Sequence, residues 1–297
     1  MAWPAAEHVL GPARMKRPFH RYKYRLLMLM TARQRAALLQ VLDRHPAWRQ
    51  LFVDTPSNFY VVFRRYLDRR WSMRQRFEFL MKDLEFAADK FGLATMRILS
   101  GGSSVRICEQ PGFSVDLMIN RPTRIEGFWA LSLNDDENRP LFNLSFGFTA
   151  PDSVLIASVQ GIKRNDDSAM EVIRRLTKQS HGLRPHFMLL EIFKMVCECW
   201  GIRHIQGVDT DHQVTQFKKK DDEFKFDYRA YWREHGALQQ PDGRWLLPNQ
   251  SKRRTPEEMP PHKRAMYRRR YLLLETLASR TAAGLGTCAD AKDPAPA

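Results

Sequence analysis

Residues 153–209 constrain the fold of this chain more than any other stretch. An apolar run, Val154-Leu155-Ile156-Ala157-Ser158-Val159, reads as a strand ending in Gln160-Gly161, and a basic helical stretch follows. The chain then passes through Thr177-Lys178-Gln179-Ser180-His181-Gly182-Leu183-Arg184-Pro185 into a periodic helix that Gly201 stops after Trp200. A second strand spans Ile202 to Val208. Lys, His, Gly and Arg gathered at a helix N-terminus predict an anion site. The helix end offers unsatisfied N–H groups and the positive end of its dipole, Gly182 permits close backbone approach, and Arg184 has the fork that fits phosphate or carboxylate.

Ahead of this unit the periodicity changes twice. Pro18 to His45 is helical, with Leu26, Leu29, Met30, Leu38 and Leu42 in an apolar stripe ended by His45-Pro46. Ser72-Met73-Arg74-Gln75 has the form of a capping box, opening a helix expected to run to Phe91 and stop at Gly92. Short β-rich runs then cover Leu93–Leu99, Ser104–Glu109, Phe113–Asn120, Gly127–Leu133 and Leu141–Phe148, separated by turn residues. That spacing predicts a largely antiparallel meander with Val154–Gln160 as its last member. Pro185 suits the first position of its helix, whose apolar face carries Leu189, Ile192, Phe193, Val196 and Trp200. Beyond Val208, Lys218–Glu223 reads as a charged surface loop, Phe226–Trp232 as a short helix ending near His235-Gly236, and His262 to Arg280 as a closing helix. The Ala- and Pro-rich tail from Gly284 is expected to be disordered. Strands in series with helices before and after them define an α+β chain.

Charge is the other constraint. The 297 residues carry a net charge of +15. From Arg14 to Arg35 there are eight Lys and Arg residues and no acid, Arg64 to Arg76 is similar apart from Asp68, and Lys263–Arg270 is the densest run. Such runs attract nucleic acid, anionic lipid or polyanionic substrates, although a solvated helix face explains charge alone equally well. The four cysteines do not form a disulfide framework, and Cys197-Glu198-Cys199 lacks the C-x-x-C spacing of zinc and redox motifs. No run reaches the ~20 apolar residues needed to cross a bilayer, and a secretory leader pattern is missing. The expected location is the cytoplasm, or the periphery of the inner membrane. No metal is expected, and no G-x-S-x-G, H-E-x-x-H, Walker A or G-x-G-x-x-G pattern occurs.

Several pieces together resemble the VirK/YbjX family of Gram-negative bacterial proteins. They are Arg44-His45-Pro46, Ile125-Glu126-Gly127, Leu141–Phe146, Val159-Gln160-Gly161, the Thr177–Pro185 segment, Asp227 with Tyr231-Trp232, Leu246-Leu247-Pro248, and Lys263–Tyr271. Their order spans roughly His45 to Leu274. The resemblance implies association with virulence, resistance to cationic antimicrobial peptides and stress responses. More distantly, a meander, an anion-binding turn, a helix and a further strand are similar to the core of the GNAT acyltransferases. That likeness implies a GNAT-like, mostly antiparallel mixed sheet. The change from helical to β-rich runs and the composition of the tail divide the chain into a basic helical subdomain (1–92), an α+β core with a C-terminal helix (93–283) and a tail (284–297). It departs from GNAT proteins in the long insertion Ile162–Ser180 and in lacking their glycine pattern.

On that resemblance the activity would be acyl or aminoacyl transfer to an amine of an envelope component or peptide, with acyl-CoA or aminoacyl-tRNA as donor. Gln160, Lys178, Gly182, Leu183 and Arg184 would hold the donor. Glu126 would be the general base, or else an arginine's partner. His181 fits a base, a phosphate donor or a loop histidine. Tyr228 and Tyr231 fit acids for a leaving thiolate or core aromatics. Arg184 otherwise pairs with Glu126 or Asp209. Asp211-His212 is weak as a metal pair. The rival reading is a non-catalytic basic protein that binds anionic membrane, a partner protein or RNA.

Overall fold

The chain is described by a computed structural model over residues 1–121, 123–161, 167–215, 226–255 and 257–289. Five helices come first: α1 (Ala6–Leu10), α2 (Pro12–Met15), α3 (Pro18–Met30), α4 (Ala32–Arg44) and α5 (Pro46–Asp54). A 3-10 segment, Pro56–Phe63, leads to the long α6 (Met73–Ser100). The strands β1 (Val105–Gln110), β2 (Phe113–Ile119), β3 (Trp129–Asp135), β4 (Pro140–Ala150) and β5 (Ser153–Gly161) form the meander. Then come α7 (Asp167–Gln179), α8 (Pro185–Cys199), β6 (His204–Gly207), α9 (Tyr228–Glu234), β7 (Leu238–Gln239), β8 (Trp245–Leu247) and α10 (Arg264–Ala289).

The eight strands make one sheet in the order β1-β2-β3-β4-β5-β6-β8-β7. Only β5 and β6 run parallel, as a strand–helix–strand connection requires, and the other pairs are antiparallel. Alternation gives the sheet two different faces. Leu117, Leu131, Leu144, Trp129, Phe146 and Phe148 lie on one of them, against the helices. There Phe91 of α6 meets Trp129 at 5.0 Å, Phe193 of α8 meets Phe146 at 4.9 Å, and Trp48 of α5 meets Trp129 at 5.0 Å. Asp116, Ser132, Asn134, Asn143, Ser145 and Ser158 lie on the other face, where Asn134 Nδ2 donates to Asp116 at 3.0 Å and Asn120 Nδ2 to Ser145 at 3.0 Å. The fold is therefore α+β, with a mostly antiparallel mixed sheet and a C-terminal helix.

The capping box forms as expected. Ser72 Oγ accepts the Gln75 N–H, and Gln75 Oε1 accepts the Ser72 N–H at 2.9 Å. Gly92, however, does not end the helix. It kinks the backbone at φ +71 and helical residues resume to Ser100, so Leu93–Leu99 is helix rather than strand. Thr95, Met96 and Leu99 are buried at helical spacing, which a short apolar run does not distinguish from a strand. The tail expectation also changes, because α10 continues through Gly284 to Ala289. At Gly284 an added Cβ would lie 2.2 Å from the Ile107 carbonyl oxygen, so the close approach of this helix to β1 needs glycine. The hairpin of β7 and β8 was not expected. The Lys218–Glu223 loop and residues 290–297 lie outside the described residues.

Candidate functional site

Glu126 ends a 3-10 turn between β2 and β3 and is fully buried. Gly127 beside it has φ +116, and a Cβ there would lie 2.3 Å from the Phe146 carbonyl oxygen, so β4 presses against this turn. Four side chains donate to the carboxylate. Ser158 Oγ reaches Oε2 at 2.9 Å, while Gln160 Nε2, Gln213 Nε2 and Thr215 Oγ1 reach Oε1 at 3.0, 2.6 and 2.5 Å. All four donors are uncharged, so the arginine partner allowed by the sequence is replaced by a neutral cradle. Gln160 thus belongs to Glu126, at the end of β5.

The parallel pairing of β5 and β6 stops at Ile156 and Gly207. Beyond it the strands part and α9 fills the opening. Tyr228 is buried there, and its hydroxyl accepts the Val159 N–H at 3.2 Å. Trp232 covers Gly207, where an added Cβ would meet its ring at 2.4 Å, and Trp232 Nε1 donates to the Val208 carbonyl at 2.8 Å. Tyr231 is also core, donating to the His186 carbonyl at 3.0 Å. Both tyrosines have the structural surroundings that the sequence left open as an alternative.

The turn at His181–Arg184 lies elsewhere. Its N–H groups close α7: Gly182 N–H bonds the Thr177 carbonyl at 2.8 Å, His181 N–H that of Lys178 at 3.2 Å, and Leu183 N–H that of Ser180 at 3.0 Å. The backbone cradle expected of Gly182 and Leu183 is therefore spent on capping. Arg270 of α10 ties the turn down by donating to the His181 carbonyl from Nε and Nη2. Gly182, Leu183 and Arg184 nevertheless line a groove of about 970 Å³. Arg184, Arg233, Lys252, Arg254, Lys263 and Arg270 line it against two acids, Glu191 and Glu234. Arg184 is exposed, with its guanidinium 5.7 Å from the Phe187 ring, and it pairs with neither Glu126 nor Asp209. Lys178 is exposed at the end of α7 and does not line the groove.

Two histidines near the groove are held neutral. Burial, then the Arg184 charge, lowers His186 to about 4. Burial, then Lys194 and His186, lowers His235 to about 3. Asp209 is an anchor: Arg229 forks onto it at 3.0 and 2.8 Å and Trp245 Nε1 donates at 3.0 Å. Burial alone would raise its carboxyl, but these donors outweigh burial and hold it at about 2. Among the described residues no three His, Cys, Asp or Glu side chains are grouped to hold a metal ion.

The helix α3 supplies a feature that the sequence stripe mis-assigned. Leu38 and Leu42 on α4 are buried, but Leu26, Leu29 and Met30 are 46%, 80% and 63% exposed. Phe19 and Tyr22 are exposed with them. At the helical period these five side chains fill a sector about 100° wide, bordered by Lys23 and Arg25 on its two sides. Tyr24, Leu27 and Met28 turn inward instead, Tyr24 accepting the Trp3 indole N–H at 2.9 Å. The helix has two apolar faces, and only one is covered. Among the described residues no helix is long and apolar enough to cross a membrane.

Comparison with known proteins places these features in context. Residues 14–283 match the family described as "Protein of unknown function (DUF535)". An uncharacterised protein of Haemophilus influenzae is 27% identical over 270 residues, covering 91% of this chain and 90% of its own. Membrane protein LapB of Mannheimia haemolytica is 31% identical over 215 residues, 71% of this chain and 92% of that protein. The uncharacterised protein YbjX of Escherichia coli is 22% identical over 273 residues, 88% and 82% of the two chains. No solved structure matches significantly.

Proposed function

This chain belongs to the DUF535 family, with relatives of the VirK/YbjX type, and from that premise we propose that it works at the surface of an anionic membrane. The observation that carries the reading is the outer face of α3, an exposed apolar stripe between Lys23 and Arg25 in a chain of net charge +15. A helix of this kind lies in the plane of the interface, its apolar side chains among the acyl chains and its cations at the headgroups. The name of the Mannheimia haemolytica relative, membrane protein LapB, supports the same reading. Docking there would serve the envelope stress tolerance, antimicrobial-peptide resistance and virulence that the VirK/YbjX likeness implies.

Vesicle sedimentation tests this. The protein should pellet with phosphatidylglycerol vesicles and not with phosphatidylcholine vesicles, and less as salt is raised. Phe19→Asp with Leu29→Asp should abolish pelleting while leaving the melting temperature within about a degree, because both side chains are exposed. Equal pelleting of variant and wild type would refute the reading.

A second reading, acyl or aminoacyl transfer on a GNAT-like core, is favoured by the buried Glu126 carboxylate beside the place where β5 and β6 part. In that reading the amine attacks the donor carbonyl, and Glu126 takes the amine's proton after one of its four donors swings away. The thioester or ester bond breaks to release the thiolate or the tRNA 3′-oxygen, which Tyr228 protonates. Thermal stabilisation by coenzyme A derivatives or charged tRNA, lost in Glu126→Gln, is its test.

A further inference from the structure

Four arginines from distant parts of the chain line one cavity of about 370 Å³. Arg14 comes from α2, Arg64 from the end of the 3-10 segment, and Arg121 and Arg124 from the β2–β3 connection. Ser57 and Tyr60 are among the other residues of its wall. Among the described residues no carboxylate lines this cavity, and none of the four guanidiniums joins an ion pair. Their contacts are weak: Arg14 lies 5.0 Å from the Tyr60 ring centre, Arg124 Nη1 is 3.5 Å from Ser57 Oγ, and the Arg121 guanidinium rests on Gly102 at the rim shared with a neighbouring pocket. Arg124 Nε is buried without a partner. Burial, then the Arg14 charge, lowers the Arg64 guanidinium from its ordinary value, and burial, then Arg121, does the same to Arg124. Folding has thus gathered four like charges, three half-buried and Arg121 at the exposed rim, and has left the buried Arg124 Nε without an acceptor.

We infer that this cavity binds the phosphate end of a phosphorylated ligand. A carboxylate offers a single charge and two oxygens, enough for one guanidinium fork. A phosphate monoester or diphosphate carries about two or more charges and at least three terminal oxygens, which suits several forks converging from different sides. The cavity also abuts the Glu126 cradle, since Thr215 lines it and donates to Glu126. The inference does not rest on membrane docking through α3. The phosphate has two possible sources, a soluble metabolite or a lipid headgroup.

Calorimetry on the full chain with inorganic pyrophosphate, at constant ionic strength, is the test. Wild type should bind, and Arg121→Gln should weaken binding at least tenfold without lowering the melting temperature, because Arg121 is exposed. Arg64→Gln should weaken binding as well and raise the melting temperature of the ligand-free protein by relieving repulsion. A control with twice that loss of charge, Lys252→Gln with Lys263→Gln in the α8–α10 groove, should bind pyrophosphate as wild type does. The α3 variant that no longer pellets with vesicles should also bind normally. Displacement of pyrophosphate by glucose 6-phosphate marks a soluble source, and displacement by short-chain phosphatidic acid marks a lipid headgroup; either supports the site. Failure of wild type to bind, or binding as tight as wild type's by Arg121→Gln and Arg64→Gln, overturns it.

Discussion

Arg270 holds the His181 carbonyl oxygen with two donors, Nε at 3.1 Å and Nη2 at 2.8 Å. This fork joins α10 to the turn between α7 and α8, two segments far apart in sequence. It also divides the C-terminal basic run by role. Arg268 and Arg269 are exposed, whereas Arg270 is half-buried and lies 4.7 Å from the Tyr267 ring centre. Arg270→Ala should therefore cost about 1.5–3 kcal/mol of stability, the range for hydrogen bonds to a charged group. Arg268→Ala and Arg269→Ala should each cost less than about 0.5 kcal/mol. Urea unfolding of the three variants checks the contrast.

Arg184 should behave in the opposite way. It is exposed and has no ion-pair partner among the described residues, so Arg184→Ala should leave the melting temperature unchanged. As one of six cations on the groove, it should weaken binding of a polyanion such as heparin when removed, with a shallower salt dependence. Early melting with unaltered heparin binding would mark it as structural instead.

Glu126→Ala should be among the more damaging single changes. It would leave four donors, from Ser158, Gln160, Gln213 and Thr215, facing an empty space at the edge of the core. The loss should be at least roughly 2 kcal/mol, since a buried donor without an acceptor forfeits its hydration. Glu126→Gln keeps the shape but turns an NH2 group toward groups that are themselves donors, and it should fall between wild type and Glu126→Ala. Thermal melts at neutral pH give the order.

The elements with a clean period were legible in the sequence, and the features that depend on tertiary placement were not. The antiparallel strands alternate, and their turns carry Gly, Pro, Asn and Asp, so β1 to β5 stand close to their expected positions. Leu93–Leu99 failed because seven residues of mixed apolar character suit either a strand or two helical turns, and only packing of Met96 and Leu99 decides. The strands β7 and β8 are two and three residues long, too short to show a period. On α3 the sequence showed apolar residues but not which side would be covered, and Leu29 turned out to face solvent. Glu126 was singled out, yet its partners at 158, 160, 213 and 215 come together only when the chain returns past β6. The arginine cavity was hidden for the same reason: Arg14 and Arg124 sit 110 positions apart in the chain. At the His181–Arg184 turn the sequence does not show that the Gly182 N–H closes α7, which only the folded backbone reveals, while Gly182, Leu183 and Arg184 still line the basic groove.

The last prediction concerns a buried acid outside all of these surfaces. Asp83 of α6 is fully buried against the sheet, where it accepts the Tyr66 hydroxyl at 2.6 Å, the Trp129 indole N–H at 2.8 Å and the Phe148 N–H at 2.7 Å. Burial raises its carboxyl from 3.8 to about 7, and the three donors only partly offset that effect. Between those two values the folded chain keeps a proton that the unfolded chain releases, so the contribution of Asp83 to stability declines as pH rises and levels off above about 7. A change of this size corresponds to something on the order of 4 kcal/mol across the window. His186 and His235 act in the opposite direction, because their lowered values favour the folded state as pH rises toward 6.5. The absolute pH profile therefore mixes both signs, and a difference between variants is needed to separate them. Asp83→Asn removes the titration, and the cost of turning its NH2 group toward the three donors does not vary with pH. Measured by urea unfolding at pH 4.5 and pH 8, the stability of Asp83→Asn relative to wild type should improve at the higher pH. A difference that stays constant between the two would mean that Asp83 is ionised throughout, carried by its three donors.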